Sequence, residues 1–160
     1  MPFVGIIEAY VLRTLRDAGF SMADIRLAVE TVREEFESPY ALASQRIATD
    51  GVDLFVSLAN DELITPHGAR PIREVIDPYL RFIEWDETGH PNLLRLSQYP
   101  ASVPVVIDPR FAGGSPVLEV SKTPIAAVVE LWRAGEPMAI VAKEFDLTQN
   151  DVENICRVAA

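Results

Sequence analysis

Residues 124 to 159 read PIAAVVELWRAGEPMAIVAKEFDLTQNDVENICRVA, and three apolar stripes run through them in succession. Ile125, Val128, Val129 and Trp132 form the first; Met138, Val141, Ala142 and Phe145 the second; Val152, Ile155, Cys156 and Ala159 the third. Each follows the three-and-four spacing of an amphipathic helix. Gly135 and Pro137 separate the first pair, and Asp146-Leu147 with the cap residue Thr148 separates the second. The expectation is a compact three-helix unit. Small Ala142 at a crossing and apolar Leu147 in a tight turn give its last two helices a helix-turn-helix pattern.

Immediately upstream, Val105-Val106-Ile107 and Val117-Leu118 bracket Asp108-Pro109 and Gly113-Gly114, which reads as strand, turn and strand. At the front of the chain, Val4, Ile7, Val11, Leu15 and Ala18 make a helical stripe that ends at Gly19. Ser21 is placed to cap a second helix, with Asp24 three residues on. Ile25, Ala28, Val29, Val32 and Phe36 are its stripe until Pro39. So short a connection predicts an antiparallel helical hairpin. Between residues 40 and 103, β-formers alternate with turn signals. Asp50-Gly51 predicts one hairpin, and Phe82 to Trp85 with Leu93 to Leu96 across Asp86-Glu87-Thr88-Gly89 a second. Ile72, Val75, Ile76 and Tyr79 suggest a short helix broken by Pro78. Ser97 to Pro104 reads as a linker. The fold class is therefore α+β: an N-terminal helical hairpin, a small hairpin-containing middle, and a C-terminal three-helix module, divided as residues 1–103 and 104–160.

Composition limits what such a chain can do. Its 160 residues are 49% hydrophobic and 24% charged, with mean hydropathy +0.13. A chain of this length can bury about 68–70% of its unfolded surface and needs no metal or disulfide to fold. One cysteine, Cys156, forms no internal bridge, and His67 and His90 without a cysteine partner build no structural zinc site. No apolar run approaches the ~18 residues of a membrane span, and MPFVGIIEAY lacks the basic start of a secretory signal. The expected location is the cytoplasm.

No P-loop, dinucleotide fingerprint, nucleophile elbow or His-Glu-x-x-His is present, so no enzyme and no cofactor is expected. Asp50, Asp53, Asp61 and Glu62 offer carboxylates for a metal-holding cluster, against which stands the simpler account of solvated loop acids. His67 and His90 read as loop histidines. Cys156 falls on the inner face of the last helix, as an inert thiol. Tyr10, Tyr79, Trp85 and Trp132 suggest stacking platforms for bases only at first sight, because both tryptophans complete core patterns.

On the last helix Gln149, Asn150, Asp151, Glu153, Asn154 and Arg157 face outward. Lys143, Thr148, Gln149, Asn150, Asn154 and Arg157 are the candidate DNA contacts, by type and by face. Electrostatics oppose them. The chain carries −10, and residues 104–160 hold 5 bases against 8 acids. Binding to DNA draws most of its affinity from cations that displace counterions. A packing or partner-binding trihelix therefore stands beside the DNA-reading one.

The segment from Val106 to Ala159 resembles the C-terminal domain-of-unknown-function module of VapB-type antitoxins in bacterial toxin–antitoxin pairs. It shares an Ile-Asp-Pro strand end, a Gly-Gly turn, a Thr-Pro helix start, an Ala-Gly-Glu turn and a Leu-Thr cap. Where that family often has a Gly and an Arg after the Gly-Gly, this chain has Leu118-Glu119-Val120-Ser121-Lys122. GFSMADIRLAVETVREEF is similar to the helices that follow the winged helix in MerR-like proteins. TDGVDLFVSL and DPYLRFIEWDETGHPNLLRL resemble the linking region of the longer, MerR-like antitoxins. The chain is expected to begin where their winged helix ends. The resemblance implies a VapC-type toxin partner, a PIN-domain ribonuclease with an acidic, magnesium-dependent site. It also implies a homodimer and a share in operator binding. An arginine can pair with such carboxylates, and Arg70, Arg73, Arg81 and Arg95 are candidates by type. The other reading is a homo-oligomerisation or scaffold module of a MerR-like regulator without its DNA-reading domain.

Overall fold

The computed structural model describes residues 2–47, 63–65, 68–70 and 77–159, with backbone alone for 63–65 and 68–70. It is α+β, with helices at both ends. The chain forms two compact units, Met1–Asn92 and Leu93–Ala160.

In the first unit α1 spans Phe3–Asp17 and α2 spans Met22–Glu35. α1 ends as Gly19 predicts. Gly19 takes φ +100°, its N–H donates to Arg16 O at 3.0 Å, and Phe20 N–H reaches Leu15 O at 3.2 Å. These two bonds are the paired closure that a left-handed residue after a helix permits. Ser21 then caps α2, its Oγ accepting from Asp24 N–H at 3.2 Å. Arg33, late in α2, meets Glu8, early in α1, at 3.4 Å, which fixes the two helices as antiparallel. Ile7, Val11, Leu15, Ile25, Ala28, Val29 and Val32 are buried as the stripes require. Both helices pack on the 3₁₀ turn Ala41–Ala43, whose three residues are all buried.

Two details differ from the sequence reading. α2 stops at Glu35, before Pro39, because Glu37 turns left-handed at φ +50°. Thr14 is buried within the α1 stripe, its hydroxyl satisfied by Tyr10 O at 2.9 Å.

Strands β1 (Leu63–Thr65) and β2 (Gly68–Arg70) pair antiparallel, with Ile64 opposite Ala69, a ladder that the turn signals do not announce. Pro78 lies inside a helical turn over 77–80. The hairpin read at Asp50-Gly51 and the helix through Ile72, Val75 and Ile76 lie outside the described residues, as do His67, Asp50, Asp53, Asp61 and Glu62. Strands β3 (Ile83–Trp85) and β4 (Pro91–Arg95) flank the expected second turn. There Asp86 N–H donates to His90 O at 2.8 Å, and Asp86 Oδ1 accepts from Thr88 and His90 N–H at 2.9 and 3.0 Å.

The second unit contains β5 (Val105–Ile107) and β6 (Pro116–Leu118), paired antiparallel with each other, β5 also pairing antiparallel with Leu94 and Arg95 at the end of β4. Arg95 faces Val106 across β4 and β5, and Val106 faces Val117 across β5 and β6. Side chains alternate between sheet faces. Val105 and Leu118 accordingly join the helical core, while Val106 and Val117 pack with Leu93 on the other face. Helices α3 (Ile125–Arg133), α4 (Met138–Glu144) and α5 (Gln149–Ala159) follow as the three stripes predict. Val128, Val141, Val152 and Ile155 are each fully buried at their junction.

Residues 97–104 do form turns, with Val103 N–H bonded to Pro100 O at 2.9 Å. They are not a free tether, because Val103 is buried in the core of the second unit and Tyr99 packs against it. α4 closes through Asp146, left-handed at φ +55°, with Leu147 N–H on Ala142 O at 2.8 Å. Thr148 and Asp151 cap α5 reciprocally. Thr148 Oγ1 accepts from Asp151 N–H at 3.1 Å, and the Asp151 carboxylate accepts from Thr148 N–H at 3.0 Å.

Ile155 is fully buried on α5, in the core cluster to which all three helical stripes contribute. Replacing it with Ala is expected to cost about 2–5 kcal/mol, read as a lower urea midpoint for the Ile155→Ala chain.

Candidate functional site

The helical caps decide what the outer face of α5 offers. Gln149, Asn150 and Arg157 are exposed on it, and Lys143 is exposed at the end of α4. Thr148 Oγ1 is engaged as a cap acceptor. Asn154 Oδ1 accepts from Arg157 Nη2, one turn on. Thus of the six candidate DNA contacts, three are tied into local hydrogen bonds of the helix itself. Glu153 is exposed on the same helix. The cationic density of this face is low, as the charge balance anticipates.

The arginines proposed for a toxin separate by environment. Arg95 grips Glu119 in a forked pair, with Nη2 to Oε1 at 2.7 Å and Nη1 to Oε2 beside it. That fork ties β4 to the segment after β6. Arg81 is exposed, its guanidinium 5.1 Å from the Phe82 ring centroid. Arg70 lies in β2 with its side chain outside the described residues, and Arg73 lies outside them altogether.

In the sequence Asp108-Pro109 is a turn signal only, whereas the structure makes Asp108 the centre of a charged cluster. Its carboxylate is fully buried. Arg110 surrounds it: the backbone N–H at 3.0 Å and Nε at 2.8 Å reach Oδ1, and Nη2 reaches Oδ2 at 2.7 Å. Lys122 Nζ stands 3.7 Å from Oδ2 as a second cation. Phe111, 38% exposed, sits beside both cations, 5.1 Å from Lys122 Nζ and 5.9 Å from Arg110 Cζ. The side-chain bond from Arg110 outweighs the opposing effect of burial and holds the Asp108 carboxyl down at about 2. An Ile-Asp-Pro-Arg run followed by a basic residue in the next loop was the available signal.

Cys156 is buried on the inner face of α5, and burial pushes its thiol pKa up, as an inert core thiol requires. Trp132 is partly buried against the second core. Tyr10 donates to Tyr79 O at 3.1 Å, and burial raises its phenol to about 12. In the first unit a cavity of about 410 Å³ lies between the Tyr40–Arg46 segment and the Glu87–Pro91 turn. His90 lines it, exposed, with Nδ1 2.8 Å from Thr88 Oγ1. Among the described residues no group of three or more His, Cys, Asp or Glu is placed to hold a metal ion. No described helix is long and apolar enough to cross a membrane.

Residues 105–157, from β5 to near the end of α5, match the family described as a protein of unknown function, DUF433. Along nearly its whole length the chain is similar to the Mycobacterium tuberculosis (strain H37Rv) protein named "Putative antitoxin VapB45". The two are 32% identical over 167 residues, covering 96% of this chain and 69% of that one. A crystal structure of Rv2018 from Mycobacterium tuberculosis superposes with TM-score 0.79 at 31% identity, covering 97% of this chain and 78% of the other. The class is thus an antitoxin-like protein with a C-terminal DUF433 module. The chain belongs to the VapB-type antitoxin family.

Asp108 supplies a pH test. Its folded pKa lies below the ordinary 3.8, so its stabilisation is complete above the unfolded value and fades as pH falls from about 4 toward 2. Asp108→Asn is expected to cost about 1.5–3 kcal/mol at neutral pH, the range of hydrogen bonds to a charged group. The difference between wild type and variant is expected to shrink in urea melts below pH 4.

Proposed function

We propose that this protein is a cytoplasmic antitoxin that binds and neutralises a VapC-type PIN-domain ribonuclease and, as a homodimer, contributes to operator binding. The observation that carries this is the antitoxin relative matched over 96% of the chain, both compact units included. The charge pattern supports protein binding ahead of nucleic acid binding, since the surface of the C-terminal module is net acidic.

A magnesium-dependent nuclease site is a cluster of carboxylates, and an inhibitor silences it by covering those groups with a cation in place of the metal. Of the four arginines considered, Arg81 has the surroundings for this. It is exposed and lies against one aromatic face, whereas Arg95 is committed to Glu119. Insertion of Arg95 would first break that fork.

Operator contact is assigned to the outer face of α5. Gln149 and Asn150 at its start are the base-edge candidates, and Lys143 and Arg157 the phosphate candidates. A two-fold axis would bring two such faces to a palindromic site.

Co-expression with the adjacent reading frame is expected to yield a stable complex without ribonuclease activity, and Arg81→Ala to restore part of that activity. A self-associating protein that leaves the nuclease active would favour the scaffold reading. For DNA, Arg157→Ala in the full chain is expected to lower the slope of log affinity against log salt by about 1 on operator duplex. An unchanged slope would remove Arg157 from the interface.

A further inference from the structure

Ile140 lies on α4 outside the buried stripe of that helix and is 50% exposed. It borders a shallow groove of about 600 Å³ along α3 and α4, whose other apolar walls are Ala127, Leu131, Ala134 and Phe145. Glu130, Glu136 and Glu144 stand around it, and no lining residue is cationic. Among the described residues none of these three carboxylates has a cationic partner within ion-pair distance. Arg133 and Lys143 belong to the same two helices but do not line the groove.

An apolar strip with an acidic rim restricts what can cover it. Covering it strips water from the carboxylates unless the occupant brings cations to them. A nucleic acid brings phosphates, the wrong sign. A second copy of this chain carries a net charge of −10, and the cations of its Arg110–Lys122 corner are already paired with Asp108. What satisfies both the strip and the rim is an apolar segment flanked by lysine or arginine, laid along the two helices as an amphipathic helix lies in a groove.

We propose that the α3–α4 groove is a docking site for a basic amphipathic segment of a partner protein. The identity of that partner as the toxin rests on the function proposed above, while the chemistry of the groove does not. Toxin contact would then involve the C-terminal module through its acidic side, distinct from α5.

The test uses the full chain and, as candidate toxin, the product of the adjacent reading frame. Ile140→Lys and the double variant Glu136→Lys/Glu144→Lys place cations in the groove, at exposed positions where the fold tolerates them. Glu34→Lys/Glu35→Lys makes the same charge change as the double variant, at the end of α2. The groove variants are expected to bind the toxin at least about tenfold more weakly, and the α2 variant to match wild type. A second arm titrates a synthetic leucine–lysine amphipathic peptide, and its leucine–glutamate counterpart, into protein with labelled methyl groups. Saturable shifts at Ile140 and Leu131 with the lysine peptide alone are expected.

Where wild type binds the toxin, unchanged toxin affinity in both groove variants overturns the toxin as the occupant, and absence of saturable shifts with the lysine peptide overturns the groove as a docking site. A loss of affinity equal in the α2 variant also overturns the toxin as the occupant, because charge anywhere would then suffice. Should wild type fail to bind the toxin, the proposed function fails and the peptides decide the groove. Absence of saturable shifts, or equal shifts with both peptides, then overturns it.

Discussion

The second unit depends on the joint burial of one stripe from each of three short helices. α3, α4 and α5 have 9, 7 and 11 residues, and isolated helices below about 12–15 residues are marginal in water. None would persist alone. Val128, Val141, Val152 and Ile155 exclude water from a common centre, which Val105 and Leu118 extend from the strand pair. Each such side chain contributes about 1.5–3 kcal/mol on full burial. The turns are then fixed by the positions that core demands: Gly135 and Asp146 adopt positive φ, and the Thr148–Asp151 cap starts α5.

That packing sets the electrostatics. Once the apolar faces are buried, the remaining residues of α3, α4 and α5 must point outward, and their acids outnumber their bases. Cations are held locally by acids where they cluster. Asp108 gathers Arg110 and Lys122, and Glu119 holds Arg95. The same module thus presents an organised cationic and aromatic corner around Asp108 and, on α3 and α4, an apolar groove rimmed by acids. Two surfaces of opposite character on one small unit suit a protein whose work is to contact other macromolecules.

Much of the fold was legible because helix signals are local. The stripe from Ile7 to Leu15, the Gly19 stop, the Ser21 cap and the three C-terminal stripes all depend on residues within a turn or two of one another, and each element stands where they place it. The hairpin around Asp86 to His90 has the same local origin. The family resemblance was likewise carried by contiguous motifs, chiefly Ile107-Asp108-Pro109 to Leu147-Thr148. The candidate site was legible only as residue types. Periodicity put Gln149, Asn150 and Arg157 outside but did not show that Asn154 is paired with Arg157.

Sequence alone determined the order and kind of the main elements, the inner faces of the helices, and the acidic character of the whole, because spacing and composition act through nearest neighbours along the chain. Tertiary structure decided what lies far apart in sequence yet meets in space: the Arg95–Glu119 fork, the burial of Asp108 under Arg110 and Lys122, the passage of Val103 into the core, and the groove beside Ile140. A side chain's partners and exposure are set by which surfaces pack together, and that is a property of the folded chain, which local spacing does not encode.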